Sequence, residues 1–138
     1  MGDMYSSEKR SHIMSLIRSK DTIAEKLVFA YLRSRKIYFQ KHYGRVAGKP
    51  DIALPRKKRA VFIDGDFWHG REIQRLLDKR PADDFWVVKI TGNMERDRRQ
   101  RRSLMEEGWS ILSIWESDLK RKRTRENELQ KIADFLKQ

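Results

Sequence analysis

The apolar positions of this chain fall into short periodic stretches separated by polar, glycine-containing breaks. Ile13, Met14, Leu16 and Ile17 follow Ser6-Ser7-Glu8 and suggest an amphipathic helix or arm over residues 1–20, with Lys9, Arg10 and Arg18 on its sides. Thr22 and Glu25 have the S/T-x-x-E spacing of a capping box, and Ile23, Leu27, Ala30 and Tyr31 recur at helical spacing, so a helix is predicted over 22–35. The β-branched and aromatic run 37–42 reads as a strand, which Gly44, Gly48 and Pro50 separate from a second strand at 51–54. The connection Pro55-Arg56-Lys57-Lys58-Arg59 is too short for a crossover helix, so 60–64 is expected to return antiparallel.

Residues 65–82 show no clean period, and Gly65, Gly70 and Pro81 around Phe67-Trp68 suggest an exposed functional loop with one helical turn. Asp83 or Asp84 can cap a long helix running to about 107, stopped by Gly108. That helix supplies a crossover, so 109–115 is predicted to be a buried strand lying parallel in the same sheet. Leu129, Ile132, Ala133 and Leu136 mark a C-terminal amphipathic helix over 125–138. The expected architecture is α/β, a mixed sheet between helices.

The length of 138 residues fits a single domain, 1–138. Lys and Arg number 32 against 20 Asp and Glu, a formal charge of +12 that points to a polyanionic partner. The absence of cysteine excludes disulfide scaffolds, Cys-ligated zinc, iron–sulfur clusters and thiol catalysis. The longest apolar run, residues 27–32, is far short of the roughly 18 needed to span a bilayer, so no membrane contact and a cytoplasmic location are expected. Four Trp, six Phe and four Tyr set the chain apart from a disordered basic tail.

Asp51 opens one predicted strand and Asp64 closes the next, so a hairpin brings both carboxylates to one end of the sheet, where Mg²⁺ could be held with phosphate oxygens and water. Each also has an ordinary reading, Asp51 as a turn residue after Pro50 and Asp64 as the start of a loop. His69 is one of three histidines. Near a phosphate it could accept a proton from water, with Asp97 fixing its tautomer, although Asp97 could equally pair with neighbouring arginines in the charge run 95–99. Trp86, Lys89, Asn93 and Asp97 share one face of the long helix. Glu25 already has a role as the capping partner of Thr22. The basic groups at 56–59, 96–102 and 120–125 favour phosphate contacts when taken with the overall charge, and Phe67 and Trp68 cannot easily both point inward.

The segments MSLIRSKDTIAEKLV, GKPDIALP, VFIDGDFWHG and FWVVKITGNMERDRRQRRSLMEEGWSILSIWE together resemble the Vsr, or very short patch repair, DNA mismatch endonucleases, over about residues 5–120. The resemblance implies a restriction-endonuclease-like mixed β-sheet flanked by helices and Mg²⁺-dependent nicking of one strand of double-stranded DNA beside a T:G mismatch. Mn²⁺ would be able to substitute. It implies Asp51 and the Ile63 backbone carbonyl as metal ligands, His69 as general base, Asp97 as its partner, and Glu25 acting through metal-bound water. Asp64 stands where some relatives carry His and others Asp. Phe67, Trp68 and Trp86 match an aromatic wedge beside the mismatch, and Met14 an arm residue on the minor-groove side. Lys89 and Asn93, on the Trp86 face, are expected to hydrogen-bond base edges.

One departure bears on cofactors. Many such nucleases hold a structural zinc through Cys and His, whereas Asp66, Ile73 and Ser117 occupy the cysteine positions here, so no zinc is expected. The expected protein is a bacterial, nucleoid-associated monomer. A repair-protein partner is left open. Two alternatives remain at this point: a restriction-like nuclease of defence or mobile-element type without mismatch specificity, and a catalytically silent DNA-binding module.

Overall fold

Thr22 closes the N-terminus of the first helix among the described residues, as its spacing predicts. Its hydroxyl accepts the Glu25 N–H at 3.2 Å, and the Glu25 carboxylate accepts the Thr22 N–H at 3.0 Å, so two otherwise orphaned donors are satisfied reciprocally. The helix, α1, runs Ile23–Ser34. The computed structural model describes residues 22–138, and the expected arm over 1–20, with Met14, lies outside the described residues.

The buried face of α1 is Ala24, Glu25, Val28, Phe29 and Leu32, whereas the predicted stripe began at Ile23, which is exposed. The chain is apolar on both sides of this helix, so its periodicity alone does not choose the inward face. The sheet chooses it, because the face carrying Val28, Phe29 and Leu32 packs on Ile52, Val61 and Ile63.

The sheet has four strands in the order β1-β2-β3-β4, namely Gln40–Lys41, Ile52–Leu54, Arg59–Asp64 and Ser110–Trp115. The first two pairings are antiparallel, with Lys41 opposite Ile52 and Ile52 opposite Val61, and β4 lies parallel to β3 from Arg59↔Ser110 to Asp64↔Trp115. This is the mixed topology read from the loop lengths. Of the predicted strand 37–42, two residues pair, because β2 offers three positions before Pro55 ends it. Side chains alternate across β3. Val61 and Ile63 join the core beneath α1 and the C-terminal helices, while Ala60 and Phe62 join Ala53, Leu104 and Trp109 on the other face.

After β3 come α2, Ile73–Lys79, and α3, Phe85–Glu106. The Asp84 carboxylate accepts the Trp86 N–H at 3.0 Å and caps α3, and Gly108, with φ +90°, adopts the left-handed turn that ends it. The helix α2 differs from the expected loop. It buries none of its residues, so its pattern leaves little amphipathic trace. Strand β4 also departs from expectation: it is an edge strand, and Ile114 is its one fully buried residue. Two helices follow, α4 at Glu116–Lys120 and α5 at Lys122–Lys137, the latter starting three residues before the predicted 125. Among the described residues no helix is long and apolar enough to cross a membrane.

Three residues of the basic group 56–59, expected to meet DNA, also make contacts within the chain. Lys57 Nζ donates to the Leu136 carbonyl at 3.2 Å, Lys58 Nζ donates to the Glu107 carbonyl at 2.8 Å, and the Arg59 guanidinium lies 5.3 Å from the Phe135 ring centre. Two lysines thus sit at the C-termini of α5 and α3, where a cation meets the unpaired carbonyls and the negative end of the helix dipole. The turn lies at the opposite end of β3 from Asp64, about 17 Å away at roughly 3.3 Å per residue. We expect Lys58→Met to lower stability by about 1 kcal/mol and to leave nicking unchanged. Urea denaturation and a cleavage assay check this, and a large loss of DNA affinity would contradict it.

Candidate active site

Three segments converge on the other end of the sheet around a cleft of about 610 Å³. Asp51 immediately precedes β2, Asp64 ends β3, and Glu25 sits in the first turn of α1. The Asp51 carboxylate accepts the Ile63 N–H at 2.6 Å, tying the ends of the hairpin together, and the Glu25 carboxylate lies 2.9 Å from His42 Nε2. One donor atom from each of Glu25, His42 and Asp51 falls within 4.8 Å of the others, a group able to hold a metal ion.

The protonation of this group follows from its crowding. Burial, a hydrogen bond with Glu25 and the charges of Glu25 and Asp64 push the Asp51 carboxyl well above the usual carboxylate range, against the opposing Ile63 N–H. For Glu25, burial pushes upward, but hydrogen bonds from Asp51, the Thr22 backbone and His42 outweigh it and hold the group below its ordinary value. Two carboxylates about 4 Å apart repel by about 4 kcal/mol at an effective dielectric of about 20. A divalent cation would remove that repulsion, and the hard oxygen donors fit Mg²⁺ or Mn²⁺. Ile63, whose carbonyl the sequence suggested as a ligand, lines the same cleft.

In the same cleft, His69 Nδ1 lies 2.5 Å from Asp97 Oδ2 and 3.7 Å from Asp64 Oδ1. The bond to Asp97 fixes the proton on Nδ1 and leaves Nε2 with its lone pair. Burial pushes this imidazole down, but the Asp97 hydrogen bond and the charges of Asp64 and Asp97 outweigh both burial and the opposing Arg101, so its pKa is raised from 6.5. Asp64 is engaged on both oxygens by Arg101, at 2.7 and 2.9 Å. Arg101 also lies 4.2 Å over the Phe62 ring and donates to Ser113. Asp64 thus supplies negative charge beside His69 while its lone pairs are taken up by the guanidinium. The sequence places Arg101 only within the basic group 96–102 and does not signal its pairing with Asp64, although it stands four residues after Asp97 on the same helical face.

Three aromatic residues meet beside this group. Phe67, Trp68 and Trp86 pack edge to face with ring centres 5.2 to 5.5 Å apart. Phe67 and Trp68 are half-buried and line the cleft, whereas Trp86 is fully buried beneath them. Asn93 is also buried. Its amide donates to the Trp68 carbonyl at 3.1 Å and accepts from Arg96 at 2.9 Å. The expected base-edge contact from Asn93 and direct wedge contact from Trp86 therefore need correction: both residues brace the loop from below, because the tight turn after His69 lays the loop on α3. Gly70 permits that approach, since with φ +81° any side chain there would run into Met94. Lys89 is half-buried on the same helix.

A family model described as DNA mismatch endonuclease Vsr matches residues 2–75. The chain belongs to the Vsr family. Among relatives, the type II nicking enzyme V.NmeAIP of Neisseria meningitidis is 36% identical over 137 residues, covering 99% of this chain and 98% of that protein. The type II nicking enzyme V.XorIIP of Xanthomonas oryzae is 34% identical over 134 residues, 97% and 98% of the two chains. The DNA mismatch endonuclease Vsr of Escherichia coli K12 is 32% identical over 120 residues, 87% and 77%. This Vsr-family protein is a DNA nicking endonuclease, and its mixed sheet with flanking helices is consistent with the restriction-endonuclease-like fold.

The positions where the resemblance placed cysteines in zinc-holding Vsr nucleases are occupied here by other chemistry. Asp66 accepts the Ser117 N–H at 3.0 Å and the Ser117 hydroxyl at 2.5 Å, and Arg71 bridges Asp66, Ser117 and Asp118 at 3.0 to 3.1 Å. Ile73 begins α2. This polar clasp ties the start of the loop to the β4–α4 junction, and no single spacing in the sequence signals it. Burial raises the Asp66 carboxyl, but its bonds from Ser117 and Arg71 prevail and hold it below its ordinary value. Its contribution to stability is therefore present above the ordinary aspartate range and lost as pH falls through the lowered value. Asp66→Ala is expected to cost about 1 to 3 kcal/mol, read by thermal denaturation at neutral pH, with the difference from wild type shrinking in acid. Equal melting temperatures at neutral pH would show that the clasp contributes nothing.

Proposed function

We propose that this endonuclease nicks one strand of duplex DNA beside a T:G mismatch, using a divalent cation, Mg²⁺ or Mn²⁺, held by Asp51 with Glu25 and the Ile63 carbonyl. The observation that carries this reading is a crowded carboxyl pair and a His–Asp dyad lining one cleft together with Phe67 and Trp68. Phosphodiester hydrolysis needs a proton taken from water and negative charge neutralised at phosphorus. His69 Nε2 takes the proton, and Asp97 holds the ring and stabilises the imidazolium. Arg101, clamped by Asp64, keeps positive charge beside the phosphate. The cation, when bound, supplies charge neutralisation and lowers the pKa of water. Exposed arginines of α3, among them Arg98, Arg99 and Arg102, supply phosphate contacts that release counterions.

Mismatch preference rests on the aromatic rim. Inserting a ring between base pairs costs a few kcal/mol of unstacking, and a mismatched step opens more cheaply than a matched one. Zinc has no part in this reading, since the Asp66 clasp ties down the loop.

The deciding experiment compares nicking of matched and T:G duplexes, with Mg²⁺ or chelator, by wild type and Asp51→Ala. Nicking confined to the T:G duplex with Mg²⁺ and lost in Asp51→Ala is expected, and equal cutting of both duplexes would favour the restriction-like alternative. His69→Ala should lower the single-turnover rate by about 10²- to 10⁴-fold while binding persists. Because the His69 pKa is raised, the neutral base appears only at higher pH, so the rate should rise with pH along a limb displaced upward from the ordinary histidine value. Asp97→Asn should shift that limb to lower pH and reduce the plateau, and an unmoved limb would remove the dyad from the mechanism. Trp68→Ala should reduce the ratio of mismatched to matched rates, and an equal loss on both duplexes would assign the ring to packing.

A further inference from the structure

His42 was not singled out in the sequence, and the reaction described above makes no use of it. Its placement is nonetheless constrained from several sides. The residue follows β1 and turns out of the strand with φ +50°, a left-handed conformation unfavourable for a side chain bearing a Cβ. Its N–H donates to the Asp51 carbonyl at 3.0 Å, and the next residue, Tyr43, donates to the Pro50 carbonyl at 2.9 Å. The backbone of His42 is therefore fastened to the very residue that carries the central carboxylate. The ring stands edge-on to Phe29 with centres 5.9 Å apart and is 14% exposed. Its Nε2 reaches Glu25 Oε2 at 2.9 Å.

We propose that His42 is a direct nitrogen ligand of the cation held by Asp51 and Glu25, which makes this a mixed nitrogen and oxygen centre that favours Mn²⁺ over Mg²⁺. The proposal rests on the metal-dependent reading given above. Adjacent ligands of an octahedral ion with bonds of about 2.1 Å stand about 3 Å apart, which is the separation seen between Nε2 and the Glu25 oxygen. The donor atoms of all three residues lie within 4.8 Å of one another, close to the span of about 4.2 Å between opposite ligands of such an ion. Without an ion the Nε2–Glu25 contact is a hydrogen bond; ligation replaces it, with the proton on Nδ1 and the Nε2 lone pair directed at the ion. Imidazole suits transition ions, whereas Mg²⁺ takes oxygen donors almost exclusively, so a histidine here changes which cation is held best. A left-handed backbone retained beside a carboxyl cluster is the kind of strain that accompanies function.

The test is pulsed electron paramagnetic resonance of the full chain loaded with Mn²⁺. Nitrogen hyperfine coupling is expected in the wild type, retained in His69→Ala and lost in His42→Gln. By titration, Mn²⁺ affinity should fall at least about tenfold in His42→Gln, with a smaller change for Mg²⁺. The chain holds three histidines, His12, His42 and His69. The double variant His12→Ala/His69→Ala should therefore keep the coupling, and this arm stands even if His42→Gln does not fold. Mn²⁺ bound to the wild type without nitrogen coupling, or coupling that survives in His42→Gln, would overturn the proposal and leave the metal-dependent reading intact. Failure of Mn²⁺ to bind the full chain would overturn both.

Discussion

The hydrogen bond from the Ile63 N–H to the Asp51 carboxylate is the contact on which the site depends. It closes the open end of the β2–β3 hairpin just past the last ladder pair, Ile52 opposite Val61, and so holds Asp51 next to the strand that ends in Asp64. β3 carries this end of the hairpin rigidly because both of its faces are covered, by α1 and the C-terminal helices on one side and by Leu104 and Trp109 on the other. A side chain fixed to the backbone of a buried central strand has little freedom, which suits a centre that must be held to within a fraction of an ångström.

Around this contact the chain accumulates negative charge that its overall composition would not suggest. Glu25, Asp51, Asp64 and Asp97 all face one cleft in a protein of formal charge +12. Two contacts offset the repulsion: the bidentate Arg101–Asp64 pair and the His69–Asp97 bond. The basic residues outside the cleft are divided in their use, since the lysines of the 55–58 turn cap helix C-termini while α3 keeps several arginines exposed.

The loop that bears His69 is a second organised unit. Its aromatic rim rests on Trp86 and Asn93 from α3, and its start is held by Asp66, Arg71 and Ser117. None of these supports requires a metal, and each arises from residues far apart in the chain. The support of this loop is thus a tertiary property here.

Much was legible in the chain itself. Local rules sufficed for the capping box at Thr22 and Glu25, the Asp84 cap, the Gly108 stop, the hairpin with Asp51 and Asp64 at one end, and the parallel return after a long helix, because each depends on spacing within a few residues or on the length of a connection. Asp97 on the face shared with Trp86 was readable from helical periodicity, and the four motif segments carried the family. Tertiary structure alone decided which face of α1 is buried, that Trp86 and Asn93 lie beneath the aromatic rim, that Arg101 claims Asp64, and that His42 meets Glu25 across 17 residues of sequence. These outcomes depend on which side chains meet when separate elements pack, and periodicity cannot report a partner that lies on another element.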